Sequence, residues 1–296
     1  MVSGGIAGAV SRTATSPVER LKVLQQVQVS GVKTYSGIVG GLNAIYRTEG
    51  WKGYFKGNGS NVARIAPYSA LQFLFFDWSK ILVQRVHGDK DERGKYSYQL
   101  NSVERFCSGA FAGTASTLFC YPLDLVRSLL TVQTNQGKYN GIIDCLRKVH
   151  QAEGVRGLFR GSIITMAGIT PYIAINFYTF DSLKQQYLPK DKNDPSFIWI
   201  NLLLGAIAGG TAALLTYPSD VVRRRIQLLG SGSDMVQGMV GKPTIAACVR
   251  AIVQKEGVPG LYKGLNACLL KVMPSMAISF TIHEQLRHRL NFKVEA

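Results

Sequence analysis

The hexapeptide PVERLK, Pro17 to Lys22, sets a proline, an acid and a base at fixed spacing inside an otherwise apolar segment. The pattern returns as PLDLVR, Pro122 to Arg127, and as PSDVVR, Pro218 to Arg223. A second signature follows each copy: EGWKGYFKG (Glu49 to Gly57), EGVRGLFRG (Glu153 to Gly161) and EGVPGLYKG (Glu256 to Gly264), at offsets of 104 and 103 residues. Glycines spaced by four precede each proline (Gly4 and Gly8, Gly109 and Gly113, Gly205 and Gly209), an interval that lets two membrane helices approach closely. The chain therefore divides into three repeats, 1–96, 97–192 and 193–296, integrated into one domain.

Each repeat reads as an apolar helix, a polar loop with a short amphipathic helix, a glycine turn and a second apolar helix. From Phe197 to Thr216 there are twenty residues without a charge, long enough to cross a hydrocarbon core of about 30 Å. Phe106 to Leu123 and Ser162 to Phe180 are also uncharged, whereas the runs near Val2–Val18, Gly57–Phe76 and Gly264–Ile282 each hold one base, Arg12, Arg64 and Lys271. The expectation is an all-α membrane protein of six transmembrane helices, three tandem hairpins with threefold pseudosymmetry and short amphipathic helices on one side.

The net charge of +16 suits nucleic acid, an anionic membrane surface or an anionic cargo. No finger, RNP pattern or isolated basic helix supports nucleic acid. Cys107, Cys120, Cys145, Cys248 and Cys268 are odd in number and never at metal-ligand spacing, so neither a disulfide framework nor a metal site is expected. His87, His150, His283 and His288 accompany no nucleophile or paired carboxylates, which argues against a membrane-bound enzyme and leaves no catalytic residue to name. The opening MVSGGIAGAVSR has no charged leader and starts almost within the first helix, so a natural N-terminal extension is left open.

Together, the three Pro-x-(Asp/Glu)-x-x-(Lys/Arg) motifs and their glycine signatures resemble the mitochondrial carrier family over essentially the whole chain. A proline in a membrane helix removes a hydrogen bond and bends it, so Pro17, Pro122 and Pro218 are read as kinks. The acid and base lie at i and i+3 on one face, and charges in a bilayer must pair or face water. Glu19, Asp124 and Asp220 are thus expected to meet Lys22, Arg127 and Arg223 of neighbouring repeats; the resemblance makes that ring the matrix gate, braced by Gln26 and Gln227, with Thr131 at the third brace position. FDWSK, FDSLK and HEQLR resemble the cytoplasmic gate, implying pairs among Asp77, Lys80, Asp181, Lys184, Glu284 and Arg287, with His283 in place of the usual aromatic. Two rings that form in alternation would make the bistable element that alternating access requires.

Seven residues beyond the turn glycines lie Arg64, Gly168 and Lys271, each three residues before a proline. Two bases at mid-membrane depth suit an anionic ligand. By resemblance to adenine-nucleotide carriers, whose substrate site has an Asn matching Asn61, Arg64 and Lys271 bind phosphates, and a purine rests near Gly168, Ile169 and Tyr172. RRRIQLLG (Arg223 to Gly230) lacks the methionine run of the ADP/ATP exchangers, and the wording of helices 2 and 6 is closer to carriers of coenzyme A, adenosine phosphosulfate and bisphosphate, and ATP-Mg. No EF-hand pattern occurs in these residues. The resemblance implies a monomer that exchanges an anionic substrate for a counter-substrate across the mitochondrial inner membrane, a peroxisome or another organelle being the other locations it allows. It also implies lipid partners, no cofactor beyond bound cardiolipin, and no nucleic acid. Alternatives are a same-fold carrier of another small anion or carboxylate, a proton-dissipating or lipid-interacting member, a membrane enzyme, or a soluble basic binding protein. The stretches at Gly31–Lys33, Asp89 and Asp191 read as loops, the first on the matrix side and the others between repeats on the opposite side.

Overall fold

The computed structural model describes residues 2–28, 35–87, 100–133, 138–187, 196–229, 244–272, 274, 275, 278 and 282. The three loop stretches just named, and His283, Glu284 and Arg287, lie outside the described residues. Among the described residues all regular structure is helical. Repeat 1 holds α1 (Val2–Ala14), α2 (Ser16–Val27), α3 (Ile38–Glu49), α4 (Asn58–Ala63) and α5 (Ile65–His87). Repeat 2 holds α6 (Ser102–Phe119), α7 (Tyr121–Val132), α8 (Ile142–Leu158) and α9 (Ser162–Tyr187). Repeat 3 holds α10 (Ser196–Leu228), α11 (Ile245–Glu256) and α12 over residues 265–272, with short 3-10 turns at Trp51–Phe55 and Val258–Tyr262.

The prolines act differently in the three repeats. Pro17 and Pro122 lie in the first turn of α2 and α7, just after Thr15 and Cys120, whose φ of −90° and −84° with ψ near 0° interrupt the helix. Pro218 sits inside the unbroken α10. Expected as kinks in all three repeats, the prolines thus separate two helices in the first two and are absorbed in the third. The cause in each is the missing N–H and the clash with the preceding turn. Among the described residues, Ser162–Tyr187 and Trp199–Leu228 are long and apolar enough to cross a membrane.

Apolar side chains face outward over much of this surface. The 23-residue α5 buries no residue, and Phe73, Leu74, Trp78 and Leu82 on it are exposed. On α9, Ile164 and Thr165 are the buried residues of a 26-residue helix, while Phe177 and Tyr178 are exposed. A protein in water would hide such patches, and a bilayer removes the need.

A conventional core exists at one end. There Leu21, Leu24 and Val27 of α2 pack with Ile45 of α3, Leu125 and Leu129 of α7, and Cys145 and Val149 of α8. A second cluster joins Val221, Val222 and Ile226 of α10 to Cys248 and Ile252 of α11. Each such side chain contributes about 1.5–3 kcal/mol when fully buried. Gly41 is needed for this packing, since a Cβ there would meet Leu21 Cδ1 at 2.4 Å.

The glycine signature builds one backbone three times. Gly50, Gly154 and Gly257 take φ of 67°, 68° and 70°, and Gly57, Gly161 and Gly264 take 81°, 81° and 84°, in the left-handed region that glycine occupies at no steric cost. A Cβ on Gly57 would touch Thr131 of α7, one on Gly161 would touch Gln227 of α10, and one on Gly264 would touch Lys22 of α2. Each turn therefore sits on the proline helix of another repeat, and the three contacts close into a cycle. The earlier glycines behave otherwise: a Cβ on Gly8, Gly109 or Gly113 would meet nothing within 4 Å, and Gly209 lines a cavity. Gly8, Gly109 and Gly113 thus face open space instead of a closely approaching helix, whereas a Cβ on Gly205 would meet Phe180 Cε2 of α9 at 3.9 Å.

Candidate functional site: a charged ring beneath a cavity

Where α2, α7 and α10 converge, the three acids and three bases of the proline motifs pair between repeats. Arg127 donates to Glu19, Arg223 donates to Asp124, and Lys22 Nζ lies 3.4 Å from Asp220 Oδ2. The i and i+3 spacing puts acid and base on one helical face, and the cycle of repeats turns that face toward its neighbour. The pairs differ in burial: the Asp124 side chain is 4% exposed and that of Asp220 is 49%.

Both brace glutamines are buried next to tyrosines that precede the prolines. Gln227 Nε2 donates to Tyr121 Oη at 3.0 Å and to Asp124 Oδ2 at 3.4 Å, so it supports a ring acid directly. Gln26 Nε2 donates instead to Tyr217 Oη at 3.1 Å. Thr131 Oγ1 donates to Arg127 O within its own helix and reaches no ring carboxylate. Tyr121 and Tyr217 donate to Arg160 O and Lys263 O at 2.6 and 3.0 Å, and Ser16, which precedes Pro17, donates to Tyr54 O at 3.1 Å. All three tie a proline helix to the glycine turn. Sequence reasoning missed this role, whose signal was a hydroxyl before each proline.

Outside the ring, buried arginines anchor the amphipathic helices. Arg20 donates to Glu49 at 2.9 Å and to Thr131 O at 3.1 Å; Arg225 holds Glu256 with two hydrogen bonds and donates to Gln26 O at 3.1 Å. Burial pushes the Glu49 and Glu256 carboxyls up, but hydrogen bonds from Arg20 with Lys56, and from Arg225 with Lys263, hold both below the ordinary carboxylate value. Repeat 2 has Leu125 and Leu129 at the corresponding places, and its Glu153 pairs with Arg160.

Above the ring lies a cavity of about 290 Å³, lined by Gly168, Ile169 and Tyr172 of α9, Ser219 and Asp220 of α10, Lys22 and others. The structure thus brings the expected flat patch of Gly168, Ile169 and Tyr172 to one wall. Arg64 and Lys271 reach ring carboxylates: Arg64 Nη1 is 3.8 Å from Asp124 Oδ1, and Lys271 Nζ is 3.0 Å from Glu19 Oε2. Asn61 is buried and accepts from Arg12 at 2.9 Å. Arg12 was legible only as a base in an apolar run; its placement beside Asn61 puts a further cation at the site.

At the other helix ends, Asp77, Lys80, Asp181 and Lys184 are exposed and form no ion pair among the described residues. Among the described residues there is also no group of three or more His, Cys, Asp or Glu able to hold a metal.

The family model described as "Mitochondrial carrier protein" matches residues 1–87, 98–191 and 194–294. The chain is 39% identical, over 97% of its length and 85% of the relative's, to the mitochondrial adenine nucleotide transporter ADNT1 of Arabidopsis thaliana. It is 33% identical to the mitochondrial carrier protein CoAc2 of Zea mays, over 97% and 85% of the two chains. Likeness to the human mitochondrial adenyl nucleotide antiporter SLC25A24 is 34%, covering 98% of this chain and 58% of that longer protein.

Proposed function

The chain belongs to the mitochondrial carrier family, a family of transporters, in the mitochondrial inner membrane, which it crosses more than once; we propose that it exchanges an anionic adenine-containing metabolite. The class comprises coenzyme A, adenosine bisphosphate or phosphosulfate, and adenine nucleotides. Six transmembrane helices with threefold pseudosymmetry enclose the cavity, and the molecule works as a monomer. The Glu19, Asp124 and Asp220 ring is the matrix gate, and the acids and bases at the opposite helix ends, Glu284 and Arg287 included, form the cytoplasmic one.

The observation that carries this reading is the double engagement of Glu19 and Asp124. Each holds a ring cation and also Lys271 or Arg64. Phosphates entering the cavity compete for Arg64 and Lys271, arginine gripping oxygens through its fork and lysine as a point charge. Competition withdraws one cation from each of two gate acids and loosens the gate, while the purine lies against Gly168, Ile169 and Tyr172. Loading and opening are thereby coupled, which is what exchange demands.

A thermal-shift screen of the purified carrier in detergent tests the reading. Coenzyme A, adenosine 3′,5′-bisphosphate, adenosine phosphosulfate, ATP, ADP and phosphate are compared with carboxylates and amino acids. An adenine compound at a hundred times its Kd stabilises the fold by about 2.7 kcal/mol. Arg64→Ala and Lys271→Ala abolish that response. Stabilisation by carboxylates alone would assign the cavity to another anion.

A further inference from the structure

The repeat pattern leaves one ring acid short of a partner. Arg64, Gly168 and Lys271 hold equivalent places, seven residues beyond the turn glycines. Arg64 of repeat 1 reaches Asp124 of repeat 2 at 3.8 Å, and Lys271 of repeat 3 reaches Glu19 of repeat 1 at 3.0 Å. The same step round the cycle leads from Gly168 of repeat 2 to Asp220 of repeat 3. A Cβ on Gly168 would in fact meet Ser219, the residue before Asp220, at 3.5 Å, but glycine has no side chain to send further.

Asp220 consequently keeps a single hydrogen bond among the described residues, from Lys22 Nζ to Oδ2 at 3.4 Å. Its side chain is 49% exposed, against 4% for Asp124 and 17% for Glu19. Of the three ring acids only Asp220 lines the cavity, which it shares with Gly168, Ile169 and Tyr172 of α9.

The other polar groups on these walls define what Asp220 suits. Thr165, Thr216 and Ser219 each donate to a nearby backbone carbonyl at 2.8 Å, those of Gly161, Ala212 and Thr216. Lys22 and Arg223 line the same space, so a cationic ligand group is repelled from it. A neutral N–H donor is not repelled, and a hydrogen bond to an ionised carboxylate is stronger than one between neutral groups. The fitting ligand group is therefore flat enough for the Gly168 patch and bears an uncharged N–H at its edge.

We propose that Asp220 reads the base of the cargo, its Oδ1 accepting a hydrogen bond from the exocyclic amino group of the adenine. That group holds its N–H bonds in the plane of the ring, so a base lying flat on the α9 patch presents them along its edge. The cargo then supplies the partner that Gly168 withholds. Phosphates draw Lys271 and Arg64 from Glu19 and Asp124, the amine engages Asp220, and one ligand addresses all three ring acids. This inference rests on the adenine reading above and adds to it the residue that distinguishes the base.

The test compares ATP with purine riboside triphosphate, which lacks the 6-amino group, by thermal shift of the purified carrier in detergent; inorganic tripolyphosphate is the base-free reference. The wild type binds ATP at least tenfold more tightly than the analogue. In Asp220→Ala that ratio falls below threefold, while Asp220→Asn, whose amide oxygen still accepts, keeps a ratio between three and ten. Each ratio is taken within one variant, so the lost pair with Lys22 cancels. Should the alanine variant fail to fold, Gly168→Lys carries the test: it offers Asp220 a cation from the protein, raises the melting temperature without ligand and brings the ratio below threefold. A preference that survives Asp220→Ala or Gly168→Lys, or a lysine that lowers the ligand-free melting temperature, overturns the inference. If ATP binds better than tripolyphosphate but no better than the analogue, Asp220 is not the reader and the adenine reading stands. If ATP binds no better than tripolyphosphate, this inference falls, and the responses to coenzyme A and adenosine 3′,5′-bisphosphate decide the adenine reading separately.

Discussion

At one end of the long helices Glu19, Asp124 and Asp220 each hold a cation of another repeat; at the other, Asp77 and Asp181 stand exposed with no ion pair among the described residues. The acid-to-base spacing is three residues at both ends. Spacing therefore sets only which face the charges share. Whether they pair depends on whether the helices converge, since a short acid and a base one turn apart turn to a neighbouring helix when one is within reach. The closed end is also where the apolar core, the tyrosine hydrogen bonds and the glycine seats lie. Neutral contacts and ion pairs thus coincide at the closed end.

Substitutions should rank accordingly, with the greatest losses at the closed end. Asp124→Asn leaves Arg223 and Arg64 without their acid at a buried position, and the expected cost is about 3–5 kcal/mol. Melting of the detergent-solubilised protein would fall by more than about 6 °C. A loss no greater than that of Asp220→Asn would show that the ring pairs are energetically alike.

Next comes Gly57→Ala. It forces a side chain into the left-handed region and toward Thr131 Oγ1 at 2.2 Å and Thr131 backbone atoms at 3.1 Å, at a cost of about 1–3 kcal/mol. Gly161→Ala has the same φ but meets side-chain atoms at 3.1 and 3.4 Å, so it should lose less in the same melt.

The amphipathic helices supply a pH-dependent contribution. Glu49 and Glu256 titrate below their ordinary value in the fold, so the stability they give is full above that value and is lost as pH falls through the depressed one. A melting temperature that declines on acidification below about pH 4.5 is expected, and a flat profile would deny the anchors this role.

Asp220→Asn alone should cost about 0–1 kcal/mol, as its side chain is half exposed and its partner 3.4 Å away. Smallest of all, Asp77→Asn and Asp181→Asn should change melting by no more than about 0.5 kcal/mol. A large loss there would mean that the exposed acids contribute in this conformation too.

Much of this was legible beforehand because repetition multiplies weak signals. One PVERLK says little, but three at a period near 100 residues locate every acid and base of the ring and the glycines whose positive φ builds the turns. What differed came from contacts between repeats, which no single motif encodes. Pro218 passes through α10 while Pro17 and Pro122 end helices, and motif letters alone do not separate the two cases. Gly8, Gly109, Gly113 and Gly205 share the spacing of a packing interface, yet only Gly205 of these four has a neighbouring helix within reach of a Cβ, and motif letters do not tell it from the others. Gln26 and Gln227 share a register and each donates to the tyrosine before a proline, but among the described residues only Gln227 also reaches a ring acid.

The cyclic seating of the glycine turns bears on how the molecule is made. Gly57 rests on the second repeat and Gly161 on the third, so these two seams can close as the chain lengthens. The last seam joins Gly264 to Lys22, with Lys263 donating to Gln28 O across 235 residues. Such a contact cannot begin to form until the final repeat has left the ribosome, and ordering so long a loop is slow. Until then the first proline helix is an unfinished edge in the bilayer, and its Lys22 waits for Asp220 of the last repeat.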